Sequence, residues 1–446
     1  APFDISEGDF QGGSINLVLR SGTNEFTGAA FYTYASDSLT GDETRGQKVN
    51  LDFTSKNFGA FFSGPLIQNK LFFAVSYEDL DEGNPASVGL AGAPSVVPNL
   101  TADQVSDVAS IAQSVYNYGG AGLGLRTTLP ETDKKFTGKL DWNINDRQRL
   151  SYTGIFQESY LQSSSTGSSS SSSPALYYSG YGTNEPENVN SHALQLNSRW
   201  TNAFSTEARL NYRDYDKIPS SLGTDGFGQF TICTDPVDTG SISSCSTGVP
   251  TLRFGTEQFT QADVVAQKQY GLELTGRYDI GDHQLKATAS YSVLEITNLF
   301  VHSSLGLFYF DSLESFQNRN ASTLSWQYSI GPAATTGATH KDRLADVEAS
   351  FDYDQITLGL QDSWNIIPGL NLTYGLRVDT YKMSDRPPEN EFFGERYGFS
   401  NTYNLDGLTV VQPRVSLSWR ALDNLRLRTG FGLFNGGGPD VFVGNS

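Results

Sequence analysis

Apolar and polar side chains alternate along most of this chain in segments of about 9 to 13 residues, the period of strands with one apolar and one polar face. Phe136, Gly138, Leu140 and Trp142 oppose Lys135, Thr137, Lys139 and Asp141. Tyr270, Leu272, Leu274, Gly276, Tyr278 and Ile280 oppose Gly271, Glu273, Thr275, Arg277 and Asp279, and Leu370, Leu372, Tyr374, Leu376 and Val378 oppose Asn371, Thr373, Arg377 and Asp379. The pattern predicts about 13 strands, near residues 25–35, 54–63, 71–80, 134–144, 148–159, 190–200, 204–216, 267–280, 284–295, 350–366, 370–381, 412–420 and 424–434. Asp362 breaks the alternation of its strand, which points to a bulge or to an interfacial position.

The connections alternate between two lengths. Short turns are predicted at Gly64-Pro65, Asn145-Asp146, Thr201-Asn202, Gly281-Asp282, Pro368-Gly369 and Leu422-Asp423. Between them lie connections of about 20 to 55 residues, far above the soluble median, near 36–53, 81–133, 160–189, 217–266, 296–349 and 382–411. A tight end and an elaborate end are the asymmetry of transmembrane barrels, with short periplasmic turns and long extracellular loops. Four of the 5 tryptophans, Trp142, Trp200, Trp364 and Trp419, fall on the apolar parity close to a short turn, where an aromatic girdle meets lipid headgroups. The other parity carries Arg149, Arg199, Glu207, Arg209, Arg213, Glu273, Arg277, Lys286, Arg377, Arg414, Arg426 and Arg428, which suits a polar interior. A soluble sandwich would bury the apolar face and expose this one. It stays open as the alternative, with strand length and one-sided loops against it.

Composition narrows the class. Apolar residues make up 37% of the 446, too few for an ordinary thick core. No run of eighteen apolar residues occurs, which excludes a helical membrane span but is blind to barrel strands. The net charge of -19 argues against nucleic acid as a partner. The start, Ala1-Pro2-Phe3-Asp4, has no basic segment followed by an apolar stretch, so any export signal has been removed or lies outside this sequence. Cys233 and Cys245 share one Gly/Ser/Thr-rich connection and are expected to form a local disulfide in an oxidising compartment, with two free thiols as the alternative. Thr101-Ala102-Asp103-Gln104 has the form of a capping box, and Val105, Val108, Ile111, Ala112 and Val115 follow at helical spacing, predicting a loop helix over 101–117. The nearly all-serine run at 163–173 predicts a mobile loop tip.

Residues 12–28, Gly-Gly-Ser-Ile-Asn-Leu-Val-Leu-Arg-Ser-Gly-Thr-Asn-Glu-Phe-Thr-Gly, resemble the junction between plug and barrel in TonB-dependent receptors. Residues 57–78, with Gly-Pro-Leu-Ile before Lys-Leu-Phe-Phe, resemble the second and third barrel strands of the Oar-like subgroup, and Arg-Thr-Gly-Phe-Gly-Leu-Phe at 428–434 resembles another of its strands. The resemblance implies an all-β fold: a transmembrane antiparallel β-barrel, 22-stranded in the intact protein, in the outer membrane of a Gram-negative bacterium. It assigns 1–24 to the end of the plug and 25–446 to an incomplete barrel. Most of the plug, the TonB box and a terminal aromatic strand are not in the sequence, so it reads as a fragment whose barrel further strands complete.

Partners follow from the same resemblance: outer-membrane lipid and lipopolysaccharide, the TonB energy-coupling complex through the absent N-terminal region, and an extracellular solute, with a peptide or organic polymer as first expectation. Lumen residues Arg209, Arg277 and Arg377 would hold the plug or line a hydrated wall. Tyr177, Tyr178 and Tyr181 are candidates for stacking on sugar or peptide, or plain loop tyrosines. No catalytic chemistry, cofactor or metal site is expected: His192, His283, His302 and His340 are dispersed, and Gly120-Ala-Gly122-Leu-Gly124 lacks the strand and helix of a nucleotide loop. Asp79, Asp81 and Glu82 read as a solvated acidic loop before a calcium site. Two further roles stay open, a structural or adhesive surface protein and a passive porin.

Overall fold

The computed structural model describes residues 3–8, 18–44, 46–163, 166–236, 243–327 and 339–436. Thirteen long strands follow one another in a single antiparallel meander: β1 Thr27–Ser36, β2 Thr54–Ile67, β3 Leu71–Pro85, β4 Thr128–Asn145, β5 Gln148–Ser163, β6 Thr183–Arg199, β7 Phe204–Lys217, β8 Asp263–Ile280, β9 His283–Phe300, β10 Ala349–Ile367, β11 Leu370–Lys382, β12 Thr409–Leu422 and β13 Leu425–Gly432. Ser220–Ser221 adds a short strand beside β6. Each expected strand is present, and many run further toward the long connections. Where β3 and β4 rise above the apolar band their residues are largely polar, so alternation fades while the backbone ladder continues, as where Asp81 pairs with Thr132 and Asn84 with Leu129.

Alternation fixes which face is which. Leu210, Leu358 and Leu360 on the apolar parity are exposed, whereas Arg377, Asp379, Gln412 and Arg414 on the polar parity are buried. This inverts a soluble sandwich, whose apolar face would be covered. Trp142, Trp200, Trp364 and Trp419 lie on the outward face, 36 to 51% exposed, at the short-turn ends of their strands.

The turn expected at Gly64-Pro65 sits instead at residues 68–70. Pro65 remains inside β2 opposite Phe72, and a register shift between Pro65 and Ile67 accommodates the residue that cannot donate to the ladder. Asn69 supplies the turn with φ 61°. The irregularity expected near Asp362 falls later, between Asn365 and Ile367.

The long connections do not hang separately. Segments Gly167–Ser168, Ala175–Tyr177, Thr251–Phe254, Gln229–Cys233, Leu307–Phe310 and Thr323–Ser325, drawn from three connections, form a second six-stranded sheet with both parallel and antiparallel pairs. A fourth connection contributes α1, Ala102–Tyr116, started by the expected capping box of Thr101 and Gln104. Val105, Val108 and Ala112 of α1 pack with Tyr118, Leu176, Tyr178, Phe230, Ile232, Leu252, Phe254, Phe310 and Phe316 into a closed apolar core. The serine run is part of this module: Gly167–Ser168 pairs with Ala175-Leu176, and Ser172 O accepts a bond from Gly248 N. A detached tip is therefore not what its described part forms; residues 164–165 lie outside the description. Cys233, fully buried at the end of its strand, is bonded to Cys245.

Candidate functional site

The polar face of β9 to β12 is built in rungs. Lys286, Gln361, Gly375 and Arg414 are cross-strand neighbours on one rung, and Thr288, Gly359, Arg377 and Gln412 on the next. Among these side chains lies the segment of residues 3–8. Lys286 Nζ donates to Asp4 Oδ2 (2.5 Å), Arg414 Nη1 donates to the carbonyls of Asp4 and Glu7 (2.6 Å each), and Arg377 Nη1 donates to the carbonyl of Ile5 (3.2 Å). Ile5 N in turn donates to Gln361 Oε1 (3.1 Å). Bonds from a charged donor contribute about 1.5–3 kcal/mol each, so the wall grips the main chain of this segment more than its side chains.

Glycine makes room for what the cations hold. Ile5 is fully buried. A β carbon at Gly375 would lie 2.7 Å from Ile5 Cγ2, and one at Gly359 3.0 Å from Ile5 Cδ1. A β carbon at Gly430 would meet Phe3 Cζ at 2.6 Å. Burial raises the Asp4 carboxyl, but bonds from Lys286 and Ser6 outweigh it and leave the group below its ordinary value of 3.8.

Behind the segment, Arg377 is fixed by Asp379 (3.0 Å), which also accepts from Thr357 Oγ1 (2.8 Å) and Gln412 Nε2 (2.5 Å). A polar cavity of about 530 Å³ opens beside it, lined by Ser6, Gly8, Glu273, Thr288, Gln355 and Arg377 among others.

The second contact lies at the expected junction. Lys139 Nζ donates to Ser21 Oγ (2.9 Å), and Arg149, paired with Asp141 at 2.7 Å, reaches the same hydroxyl at 3.4 Å. A β carbon at Gly22 would fall 2.4 Å from Phe73 O and 2.7 Å from Gly64 O, which gives Ser-Gly-Thr a steric reason for its glycine. Asn24 and Asn69 close the β1 entry by bonding each other twice, at 2.6 and 2.7 Å. Residues 12–17 of the junction lie outside the described residues.

Of the three arginines singled out from sequence, Arg377 alone grips the N-terminal segment among the described residues. Arg209 belongs to the wall, bonded to Gln195 and Glu207 and paired with Glu273 at 3.7 Å, and Arg277 lines a cavity of about 790 Å³ at the short-turn end with Lys70, Arg147, Arg149 and Arg199. Lys286 and Arg414, placed on the interior parity but not singled out, make the remaining charged contacts.

The loop tyrosines need correction. Tyr178 and Tyr181 are buried in the loop module, where Tyr178 donates to Val105 O (2.5 Å) and Tyr181 to Gln229 Oε1 (3.1 Å), so neither can stack on a ligand. Burial pushes both hydroxyls well above the ordinary tyrosine range, and Tyr116 up to about 12. Tyr177 is partly covered beneath Arg253, 5.3 Å from its ring centroid. The exposed loop aromatics among the described residues include Phe392, Tyr397, Phe399 and Tyr403, around the helix Glu391–Tyr397, as well as Phe259 and Trp326. Gly120–Leu123 is a single short turn packed under Tyr118 and offers no phosphate cradle.

Residues 18–122 and 99–443 match the family described as outer membrane beta barrel domain. The chain belongs to that family. As an outer-membrane β-barrel protein it presents its apolar parity to lipid and its polar parity to the lumen. The TonB-dependent transporter Oar of Myxococcus xanthus is 34% identical over 73 residues, 15% of this chain and 7% of that protein. Among solved structures, the ferric-catecholate import receptor Fiu of E. coli K12 superposes with a TM-score of 0.50 at 10% identity, covering 94% of this chain and 52% of the receptor. BauA, the ferric preacinetobactin receptor of Acinetobacter baumannii, gives 0.49 at 12% identity, covering 93% and 48%. The chain spans about half the length of these receptors, and identities this low speak to fold alone.

Proposed function

We propose that this chain is the plug junction and the first strands of a TonB-dependent outer-membrane receptor of the Oar-like subgroup, importing a peptide or other organic polymer. The observation that carries the reading is the grip on residues 3–8. A wall that devotes Lys286, Arg377 and Arg414, and the missing side chains of Gly359, Gly375 and Gly430, to one segment is built to hold an internal domain. Residues 1–24 are then the end of the plug and 25–446 the barrel, completed by further strands in the intact protein. Trp142, Trp200, Trp364 and Trp419 form the periplasmic girdle, and Phe392, Phe399 and Tyr403 offer exposed aromatic contacts to a solute. Traction on the plug by the TonB complex would break the charged contacts and open the polar lumen. The test is uptake of labelled peptides by cells carrying the intact protein with and without its TonB box. Loss of energised uptake on deletion is expected, and unchanged uptake would overturn the reading.

A second reading, adhesion or surface structure, is favoured by the loop module, whose packed core gives an exterior fold with its own shape. Lost attachment to cells or matrix with intact uptake machinery would select it.

A further inference from the structure

Asp362 breaks the apolar parity of β10 between Leu360 and Trp364, and the structure gives the break a use. Its row on the outward face reads Tyr278, Leu285, Asp362, Tyr374, and the adjacent row Gly276, Ala287, Leu360, Leu376. Between the two rows runs a largely apolar groove of about 770 Å³, its floor the backbone of the strands. Gly276 and Ala287 deepen it, while Leu285, Leu360 and Leu376 form its walls. The groove is separate from the lumen site: Asp4 and Ile5, which cover Lys286 and Gln361 from inside, do not line it.

Asp362 closes the end nearest the short turns. Its Oδ2 accepts from Tyr374 OH (2.8 Å) and pairs with His283 Nδ1 (2.7 Å), and His283 stacks on Trp364 at 5.3 Å between ring centroids. Its Oδ1 is buried and has no partner among the described residues. The residue as a whole is 8% exposed. A carboxylate oxygen left unpaired against hydrocarbon is costly, and Tyr374 and His283, the side chains that reach Asp362, both bond Oδ2. Asp362 also lines the groove, so its charge faces whatever fills it, and what fills it is the membrane.

We propose that this groove is a binding site for a phospholipid with a primary-ammonium headgroup, of the phosphatidylethanolamine kind, in the periplasmic leaflet. The ammonium pairs with the Asp362 carboxylate where that residue lines the groove, and an acyl chain lies between Leu360, Leu376 and Leu285. A quaternary ammonium has no N–H to donate, and an anionic glycerol headgroup is repelled by the carboxylate, so the site discriminates by headgroup while the chains bind alike.

The test is native mass spectrometry of the intact protein, delipidated and offered equal amounts of phosphatidylethanolamine, phosphatidylcholine and phosphatidylglycerol with identical chains. Retention of the ethanolamine lipid roughly tenfold or more above the other two is expected. Asp362→Asn should bring the three to parity, and Ala287→Phe, which fills the groove without touching the carboxylate, should lower retention of all three. Heat-modifiable migration verifies that each variant is folded. Should Asp362→Asn fail that check, the wild-type contrast between ethanolamine and choline headgroups decides alone. Equal retention of the three lipids by the wild type, or an ethanolamine preference that survives Asp362→Asn, would overturn the proposal.

Discussion

Replacing Phe230 by alanine should open the loop module and leave the barrel intact. Phe230 lies in Gln229–Cys233, a strand buried on both faces, and its ring stacks on Phe254 (4.7 Å, 15°) and Phe308 (4.6 Å, 22°). Truncating a buried phenylalanine costs about 3–5 kcal/mol. At about 1.4 kcal/mol per tenfold, the open population of the module should rise by roughly two to three and a half orders of magnitude. Limited proteolysis in the regime where closing outpaces cleavage reads that population directly, and new cuts are expected between 218 and 262. The barrel ladder from β1 to β13 contains none of these rings, so heat-modifiable migration should not change. Phe230→Leu, which keeps most of the apolar volume, should raise cleavage only slightly. Cleavage within tenfold of wild type for Phe230→Ala would refute the packed module, and loss of barrel migration would refute its independence.

Three further outcomes follow from the same contacts. Gly375→Ala places a methyl against Ile5, and overpacking of about 1–3 kcal/mol should speed hydrogen exchange of the amides in residues 3–8 by roughly tenfold or more; unchanged exchange would mean the segment is not seated there. Cys245→Ser opens a short loop, for which the chain-entropy account gives about 2–3 kcal/mol, so proteolysis near 229–250 should rise while unreduced wild type yields a linked Cys233–Cys245 peptide; free thiols would contradict it. Because the docked Asp4 carboxyl titrates below 3.8, its contribution is present above that pH and fades as pH falls below it. Segment release should therefore grow in acid for wild type, whereas Asp4→Asn should be equally loose at neutral and acid pH; identical pH profiles would remove Asp4 from the grip.

Thirteen strands were legible because lipid imposes a strict alternation, and only over the height where lipid is present. The polar extensions such as Thr128 to Asp133 lie beyond that height and were missed for that reason. The helix at Ala102–Tyr116 was legible because its cap and its spacing are local. The loop sheet was not, since its strands are two to five residues long and come from three connections, too short for any period to register. Tyr178 and Tyr181 read as surface aromatics because nothing local says that α1 and residue 229 will cover them. Lys286 and Arg414 were legible as lumen residues, but which lumen cations hold the segment depends on Gly359, Gly375 and Gly430 meeting Phe3 and Ile5, contacts spanning more than 350 positions in sequence. The turn at Gly64-Pro65 was misplaced because the dipeptide is ordinarily a breaker, and a bulge absorbs it here.

The claim on which the account rests is that the lumen is held closed from within by charged contacts to the N-terminal segment. Conductance of the intact protein in a planar bilayer, without any energy source, tests it directly. Wild type should be nearly silent, and the double variant Arg377→Gln, Arg414→Gln should show discrete openings while still migrating as a folded barrel. Steady porin-like conductance by wild type, or a double variant as silent as wild type, would contradict it.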